Sequence, residues 1–253
     1  MAANQDHLLD FVLQLADNSM IIGQRNAEWC GHGPILEQDI ALTNITLDLI
    51  GEARSLYQYA ASLKGNNATE DSMAFLRDAR AYRNVLLTEQ PNNDWGFTIV
   101  RQFLFDAFHY NSLQALCNSK DTQLKAIAEK SLKEVTYHFK WSSEWVIRLG
   151  DGTDISHNKI QSAIDALWDY THEMFLPSQA EQTLADEGIA PDLSLIKTNW
   201  NKKVSEVLTM ATIQIPEQTF AQKGGKQGIH SEYLDYILTD MQYLQRSYPG
   251  LDW

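Results

Sequence analysis

Residues 23–63 read GQRNAEWCGHGPILEQDIALTNITLDLIGEARSLYQYAASL, and this stretch decides the fold class. It holds the end of one apolar helix, a break at Gly33-Pro34, and then the most hydrophobic long helix of the chain. From Ile35 onward, Ile40, Ala41, Leu42, Ile45, Leu47, Leu49, Ile50, Ala53, Leu56 and Tyr57 run almost all the way round it. That pattern predicts a helix buried on most sides. The same helix carries Asn44, Asp48 and Glu52 in an i, i+4, i+8 line, so one polar stripe faces a particular place. Carboxylates set among apolar side chains require a cation, a hydrogen-bonding network or a metal.

Outward from this stretch the helical period persists. On its N-terminal side, Leu8, Phe11, Val12, Leu15 and Ala16 mark a helix over 6–28, with Asp6 as a fair N-cap. The central helix stops near Lys64-Gly65-Asn66-Asn67, a cluster of stop signals. Further helices are predicted over 69–87 (Thr69 as cap), 95–117, 122–149, 156–184 with a bend at Pro177, 191–210 and 231–245. Residues 215–228, with Pro216, Gly224, Gly225 and Gly228, form the one long loop-like stretch, and the chain closes on the tail SYPGLDW. Alternation of period two is missing and the connections are short. The expectation is all-α: one domain over 1–253, a bundle of long antiparallel helices with additional flanking helices packed outside.

Charge narrows the function classes. Lys and Arg total 20 against 33 Asp and Glu, a net charge of −13. Nucleic acid and anionic membrane surfaces both reward basic patches, so neither is expected as a partner. Cys30 and Cys117 have no CxxC spacing and are read as reduced packing cysteines. The N-terminal run has acids and no basic n-region, and no apolar run is long enough to span a bilayer, which predicts a soluble, cytoplasmic protein.

Helical bundles build metal sites in their cores, a Glu from each of two helices and a Glu-x-x-His pair from each of the others. Searched for that pattern, the chain gives fragments. Gln24 and Glu28 lie four apart on the first helix, and Asp48 is followed three residues on by Gly51 where an imidazole would stand. Asp106 and His109 are an i, i+3 pair, Glu134 and His138 an i, i+4 pair, and Asp169 and His172 another i, i+3 pair. Each has a structural reading beside the metal one. Asp48 and Glu52 would pair with an arginine such as Arg25 or Arg54, Asp106 with His109 would be a hydrogen-bonded packing pair, and Asp169 with His172 a surface or interface pair. Glu134 with His138 fits a ligand pair and a packing pair equally well. With Gly51 in the place of an imidazole, the set reads as an eroded metal site filled by hydrogen bonds and ion pairs.

Other features carry less chemistry. Lys223-Gly-Gly-Lys-Gln-Gly228 lacks the phosphate-loop spacing and is read as a flexible or partner-ordered loop. Arg77, Arg80 and Arg83 lie three apart on the predicted third helix and are read as an exposed arginine face, a pattern that also suits phosphates or a partner's carboxylates. Trp95, Trp141, Trp145, Trp168 and Tyr110 stand where helix packing explains them.

Four runs carry a resemblance over nearly the whole chain: GQRNAEWCGHGPILEQDIALTNITLDLIGEAR, LRDARAYRNVLLTEQPNNDWGFTIVRQFLFDAF, KSLKEVTYHFKWSSEWVIRLGDGT and MQYLQRSYPGLDW. They resemble the bacterial phenylacetyl-CoA epoxidase (phenylacetate-CoA oxygenase) family, and within it the structural, non-catalytic, ferritin-like subunit. The resemblance implies a ferritin-like four-helix core and a place in a multicomponent monooxygenase of aerobic phenylacetate catabolism. It implies a related catalytic subunit holding the di-iron centre, a small accessory subunit, and a flavin and iron-sulfur reductase drawing electrons from NADPH. No cofactor is expected on this chain itself, which would pair with the catalytic subunit in the complex and form a homodimer when alone. Two alternatives stay open. The chain could be an iron-dependent oxygenase using Asp106, His109, Glu134 and His138, or it could help hold the CoA part of the substrate through Arg77, Arg80, Arg83, Lys223 and Lys226.

Overall fold

The computed structural model describes residues 2–217 and 220–251. Four long helices form the core: α1 (Ala2–Ala27), α2 (Leu36–Lys64), α5 (Trp95–Leu116) and α6 (Thr122–Gly150). Between and after them come the short α3 (Glu70–Phe75) and α4 (Leu86–Glu89), then α7 (Asp154–Leu167), α8 (Gln179–Asp186), α9 (Leu193–Met210) and α10 (Glu232–Ser247). No strand occurs among the described residues.

α1 runs antiparallel to α2, with Gln5 bonded to the Leu63 carbonyl at one end and Gly23 against Leu49 and Ile50 towards the other. α5 and α6 form the second antiparallel pair, and α2 packs on α6 to close the bundle. The connection from α2 to α5 is the long crossover that ferritin-like bundles use. α5 is the central element, with Phe103, Leu104, Phe105 and Ala107 buried and even Arg101, Gln102 and Asp106 enclosed. α6 is amphipathic, burying Leu124, Ala128, Val135, His138 and Val146 on one side. Both start on aspartate caps, Asp94 accepting from the Phe97 N–H at 2.9 Å and Asp121 from that of Leu124 at 2.8 Å. Trp95 packs edge-on against Trp29, Trp141 and Trp145, and Trp168 lies against Trp200, so packing does account for the tryptophans.

Three sequence expectations need correction. α2 is not buried on most sides: Leu36, Ile40 and Leu47 are 72, 53 and 62 % exposed and define an open face. The helix predicted over 69–87 is α3, a 3-10 turn at Ala79–Ala81, and α4. Polar groups of α1 take its backbone bonds instead: Asp17 accepts the Arg83 N–H at 2.8 Å and Asn18 the Val85 N–H at 2.8 Å. Each captured N–H is lost to a helical ladder. The helix predicted over 156–184 ends at Leu167, passes through 3-10 turns at Trp168–Tyr170 and His172–Phe175, and restarts at α8. Phe175 and Trp168 pack on Trp200 of α9, and Ser178 with Glu181 makes a capping box just beyond Pro177.

The predicted loop over 215–228 is in part built into the fold. Its Gly225 lies so close to the Asn84 carbonyl that a Cβ there would stand 2.2 Å from the oxygen. Only glycine permits that approach. Residues 218–219 of this loop and 252–253 of the tail lie outside the described residues.

Candidate functional site: a polar seam between the core helices

The Asn44–Asp48–Glu52 stripe runs from the surface inward. Asn44 is exposed, the Asp48 side chain is 34 % exposed, and Glu52 is buried. Glu52 Oε1 accepts from Ser19 Oγ of α1 at 2.8 Å and bonds His109 Nε2 of α5 at 2.8 Å. One turn along, Asp48 Oδ2 bonds His138 Nε2 of α6 at 3.0 Å. Asp106, fully buried, accepts from Gln102 Nε2 at 2.6 Å and from Ser142 Oγ of α6 at 2.8 Å. Gln102 in turn accepts from Asn26 Nδ2 at 2.8 Å, and Arg101 donates to the Gln90 carbonyl at 2.6 Å and to Asn92 Oδ1 at 2.7 Å. Three hydrogen-bonded groups, Ser19–Glu52–His109, Asp48–His138 and Asn26–Gln102–Asp106–Ser142, thus line one seam and between them join all four core helices. The Nδ1 atoms of His109 and His138 are buried within it and find no hydrogen-bond partner.

The sequence picked out most of these residues and paired them wrongly. Asp106 and His109 are not partners: the imidazole reaches Glu52 and the carboxylate reaches Ser142. His138 bonds Asp48 rather than Glu134, which lies half-buried nearby. Neither predicted arginine serves the stripe. Arg25 bonds Glu28 and the Glu89 carbonyl, and Arg54 bonds Glu70 at 2.8 Å. An i, i+3 acid and imidazole share a face but each reaches across to another helix, because a bundle interior offers closer atoms there than one turn away. Gly51 is not a lost ligand. Open space surrounds the place where its Cβ would stand, so it faces away from the seam.

The electrostatics follow from burial opposed by pairing. Burial pushes the Glu52 carboxyl up, but the His109 imidazolium with the Ser19 and Ser131 hydroxyls outweighs it and leaves the pKa below the ordinary carboxylate value. Burial pushes His109 down, and Glu52 with Asp106 outweighs that, raising it. For Asp106 burial wins: its pKa is pushed up to about 6 despite His138, Ser142, Gln102 and His109. Glu134 is raised by burial and by the neighbouring Asp48 charge.

A di-iron centre, implied by the ferritin-like resemblance, needs carboxylates from every core helix and imidazoles free to ligate. Here α1 presents the hydroxyl of Ser19, α6 presents those of Ser131 and Ser142, and both imidazole Nε2 atoms are engaged by carboxylates of α2. Among the described residues no group of three or more His, Cys, Asp or Glu is arranged to hold a metal ion. The donor set does not fit a pair of irons.

The basic residues separate into two kinds. Arg77 is no part of an exposed face. It is buried against Asp17, donating from both terminal nitrogens, and lies over the rings of Tyr82 and Tyr57. Lys226 is likewise buried, its Nζ 2.9 Å from both Glu181 carboxylate oxygens and bonded to the Met174 and Leu176 carbonyls. Arg83 is half-buried and bonds Asp10 at 3.0 Å, while Arg80 and Lys223 are exposed. Asp169 and His172 sit in consecutive 3-10 turns, half-buried, and the Asp169 carbonyl accepts from the Gln222 N–H of the folded loop. The sequence reading missed three buried acids that organise the crossover. These are Asp17, Glu89 (bonded to Asn84, His230 and the Ser231 N–H) and Glu173 (accepting from the Leu86 and Gly224 N–H groups). Their signal was an acid on an apolar helix face with no basic residue one turn away.

No helix of the described residues is long and apolar enough to cross a membrane. The family model for the phenylacetic acid catabolic proteins matches residues 1–253. The C subunit of 1,2-phenylacetyl-CoA epoxidase from Escherichia coli (strain K12) is 44 % identical over 248 residues, 98 % of this chain and 100 % of that protein. With the family model matched over its whole length, the chain belongs to the phenylacetic acid catabolic protein family.

Proposed function

We propose that this chain is the structural, non-catalytic subunit of a multicomponent phenylacetyl-CoA epoxidase in aerobic phenylacetate catabolism. It binds and stabilises the related subunit that holds the di-iron centre, and it forms a homodimer when alone. Iron belongs to that partner, and flavin, iron-sulfur and NADPH chemistry to a reductase; a small accessory subunit is the remaining member of the assembly. The observation that carries the reading is the pairing within the seam: Glu52 with His109 and Asp48 with His138 engage the imidazoles a metal would need. Their place in the fold is that of a cross-link, tying α2 to α5 and α6.

The test is metal analysis of the purified chain, alone and co-expressed with the catalytic subunit encoded by the same organism, with phenylacetyl-CoA epoxidation assayed in the presence of the reductase. The expected result is no iron and no turnover for the lone chain. The pair should hold about two irons per catalytic subunit, as a di-iron site requires. Stoichiometric iron in the lone chain would overturn the reading and make this an oxygenase in its own right. Any contact with CoA would fall to Arg80, Arg83 and Lys223, since Arg77 and Lys226 are engaged inside the fold.

A further inference from the structure

We propose that α10, with the strap 224–231 that leads into it, is a proton-locked flap: a protonated His230 clamps it onto the crossover, and loss of that proton frees the flap as one unit. Its apolar contacts are few and form a cluster of their own. Leu234, Ile237 and Leu238 of α10 pack on Ile21 of α1 and on Tyr82 of the crossover, apart from the two larger clusters that fill the bundle. Segments held by so small a satellite cluster open at less cost than the whole domain.

The rest of the hold is polar. Gly224 N–H donates to Glu173 at 2.7 Å, Lys226 bonds Glu181, Ser231 N–H donates to Glu89 at 2.7 Å, and Arg246 at the far end of α10 bonds Asp78 at 3.0 Å. His230 sits in the middle of this line, with its side chain 4 % exposed. Its Nδ1 lies 2.9 Å from Glu89 Oε2 and its Nε2 3.1 Å from the Tyr82 carbonyl oxygen. A main-chain carbonyl can only accept. The Glu89 carboxylate also accepts from the Ser231 N–H and from Asn84 Nδ2, so it too stands as an acceptor. Both ring nitrogens must therefore donate, and only the imidazolium does that. Without its second proton the ring turns a lone pair onto one of the two oxygens, and a clamp becomes a repulsion.

The neighbouring charges support this reading. From α1, Arg25 donates to the Glu89 carbonyl, and Asp17, paired with Arg77, adds its charge on the His230 side. From the crossover, Arg83 shares the Tyr82 carbonyl, and Tyr170 and Tyr233 stand near Glu89. The arginines keep their charge throughout. Burial pushes His230 down, but Glu89, the Tyr82 carbonyl and Asp17 outweigh it and raise the ring above its ordinary 6.5. The clamp is therefore complete below pH 6.5 and is lost as pH rises through the raised value.

Hydrogen exchange of the whole chain tests this, read by mass spectrometry from pH 6 to pH 9 and corrected for the intrinsic pH dependence of exchange. In wild type the amides of 224–231 and of α10 should lose protection together, by about tenfold or more, as one charge-assisted bond goes. Those of α5 should not follow. His230→Gln removes the titrating group, so α10 should be as weakly protected at pH 6 as wild type is at pH 9, with no further change between. Ile237→Ala thins the apolar cluster and leaves the clamp, so protection of α10 should drop by a similar factor at every pH and keep its pH dependence. Flat protection of α10 in wild type, or a pH dependence that survives His230→Gln, would overturn the proton lock. An equal loss of protection in α5 would overturn the separate flap, because the whole domain would then be opening.

Discussion

Replacing Asp106 by asparagine should remove a buried charge that costs the protein stability at neutral and alkaline pH. The carboxyl is fully buried, and its pKa is pushed up to about 6 from the ordinary 3.8. Between those two values the folded chain holds a proton that the unfolded chain has lost, so stability falls as pH rises through this window and levels off above it. A shift of about two units corresponds to about 3 kcal/mol in full. Roughly half of that is already lost by pH 5, leaving about 1 to 2 kcal/mol between pH 5 and pH 8. Asparagine keeps the shape: its oxygen still accepts from Gln102, and Ser142 can turn its proton to the Phe139 carbonyl, 3.4 Å away, and accept from the new amide. The variant should match wild type or fall slightly below it at pH 5, and gain about 1 to 2 kcal/mol on it by pH 8. Urea unfolding followed by far-UV circular dichroism at the two pH values measures this, and the difference between the two proteins cancels the titration of groups that do not interact with Asp106. A difference that stays constant from pH 5 to pH 8 would refute the reasoning, because Asp106 would then ionise like a carboxylate in water.

The four core helices were legible because one repeated property, the helical period of apolar residues, is also what buries them. The crossover was not. Its residues have helical spacing, but their backbone N–H groups are taken by Asp17 and Asn18, more than sixty residues earlier in the chain, and no local pattern announces a competitor that far away. The site shows the same division. Periodicity put Asp48, Glu52, Asp106, His109 and His138 on helix faces that turn inward, and the structure brings them into one seam. It could not supply the partners, which lie across the bundle: Glu52 and His109 are 57 positions apart, Asp48 and His138 are 90. Gly51 shows how a single position misleads. As a gap in a ligand motif it reads as part of the seam, and only the empty space around it places it on the outer face of α2. The seam also explains why a bundle without a fitting metal site keeps polar groups inside. A buried acid or imidazole left alone is costly, but pairs that join different helices satisfy each other and hold the helices in register.

Three further outcomes test the buried pairs. Asp17→Asn leaves the Arg77 guanidinium buried without its counter-charge and should cost about 3 to 5 kcal/mol, a fall in melting temperature of roughly 10 °C. A melt within 2 °C or so of wild type would mean that Arg77 escapes to water, given about 2 to 4 °C per kcal/mol for a chain of this size. Lys226→Met and Glu181→Gln should each destabilise strongly, and the double variant should lose much less than the sum, because removing both charges leaves no unpaired ion behind. Additive losses in urea midpoints would contradict a coupled pair. Glu52→Gln carries the clearest pH signature. Glu52 is held below its ordinary 4.5, so its contribution is present above that value and lost on acidification, while His109 is held above its ordinary 6.5, so its contribution is present below that value and lost as pH rises through the raised one. The ion pair is therefore complete between about pH 4.5 and 6.5, and the deficit of Glu52→Gln should be greatest near pH 5.5 and shrink as pH rises through the raised His109 value, above which only a hydrogen bond between the neutral imidazole and the carboxylate is missing. If the two unfolding free energies differ by the same amount from about pH 5.5 up to the alkaline limit of folding, His109 does not lose a proton in the folded chain over that range, and the reading of an ion pair that opens as pH rises is refuted.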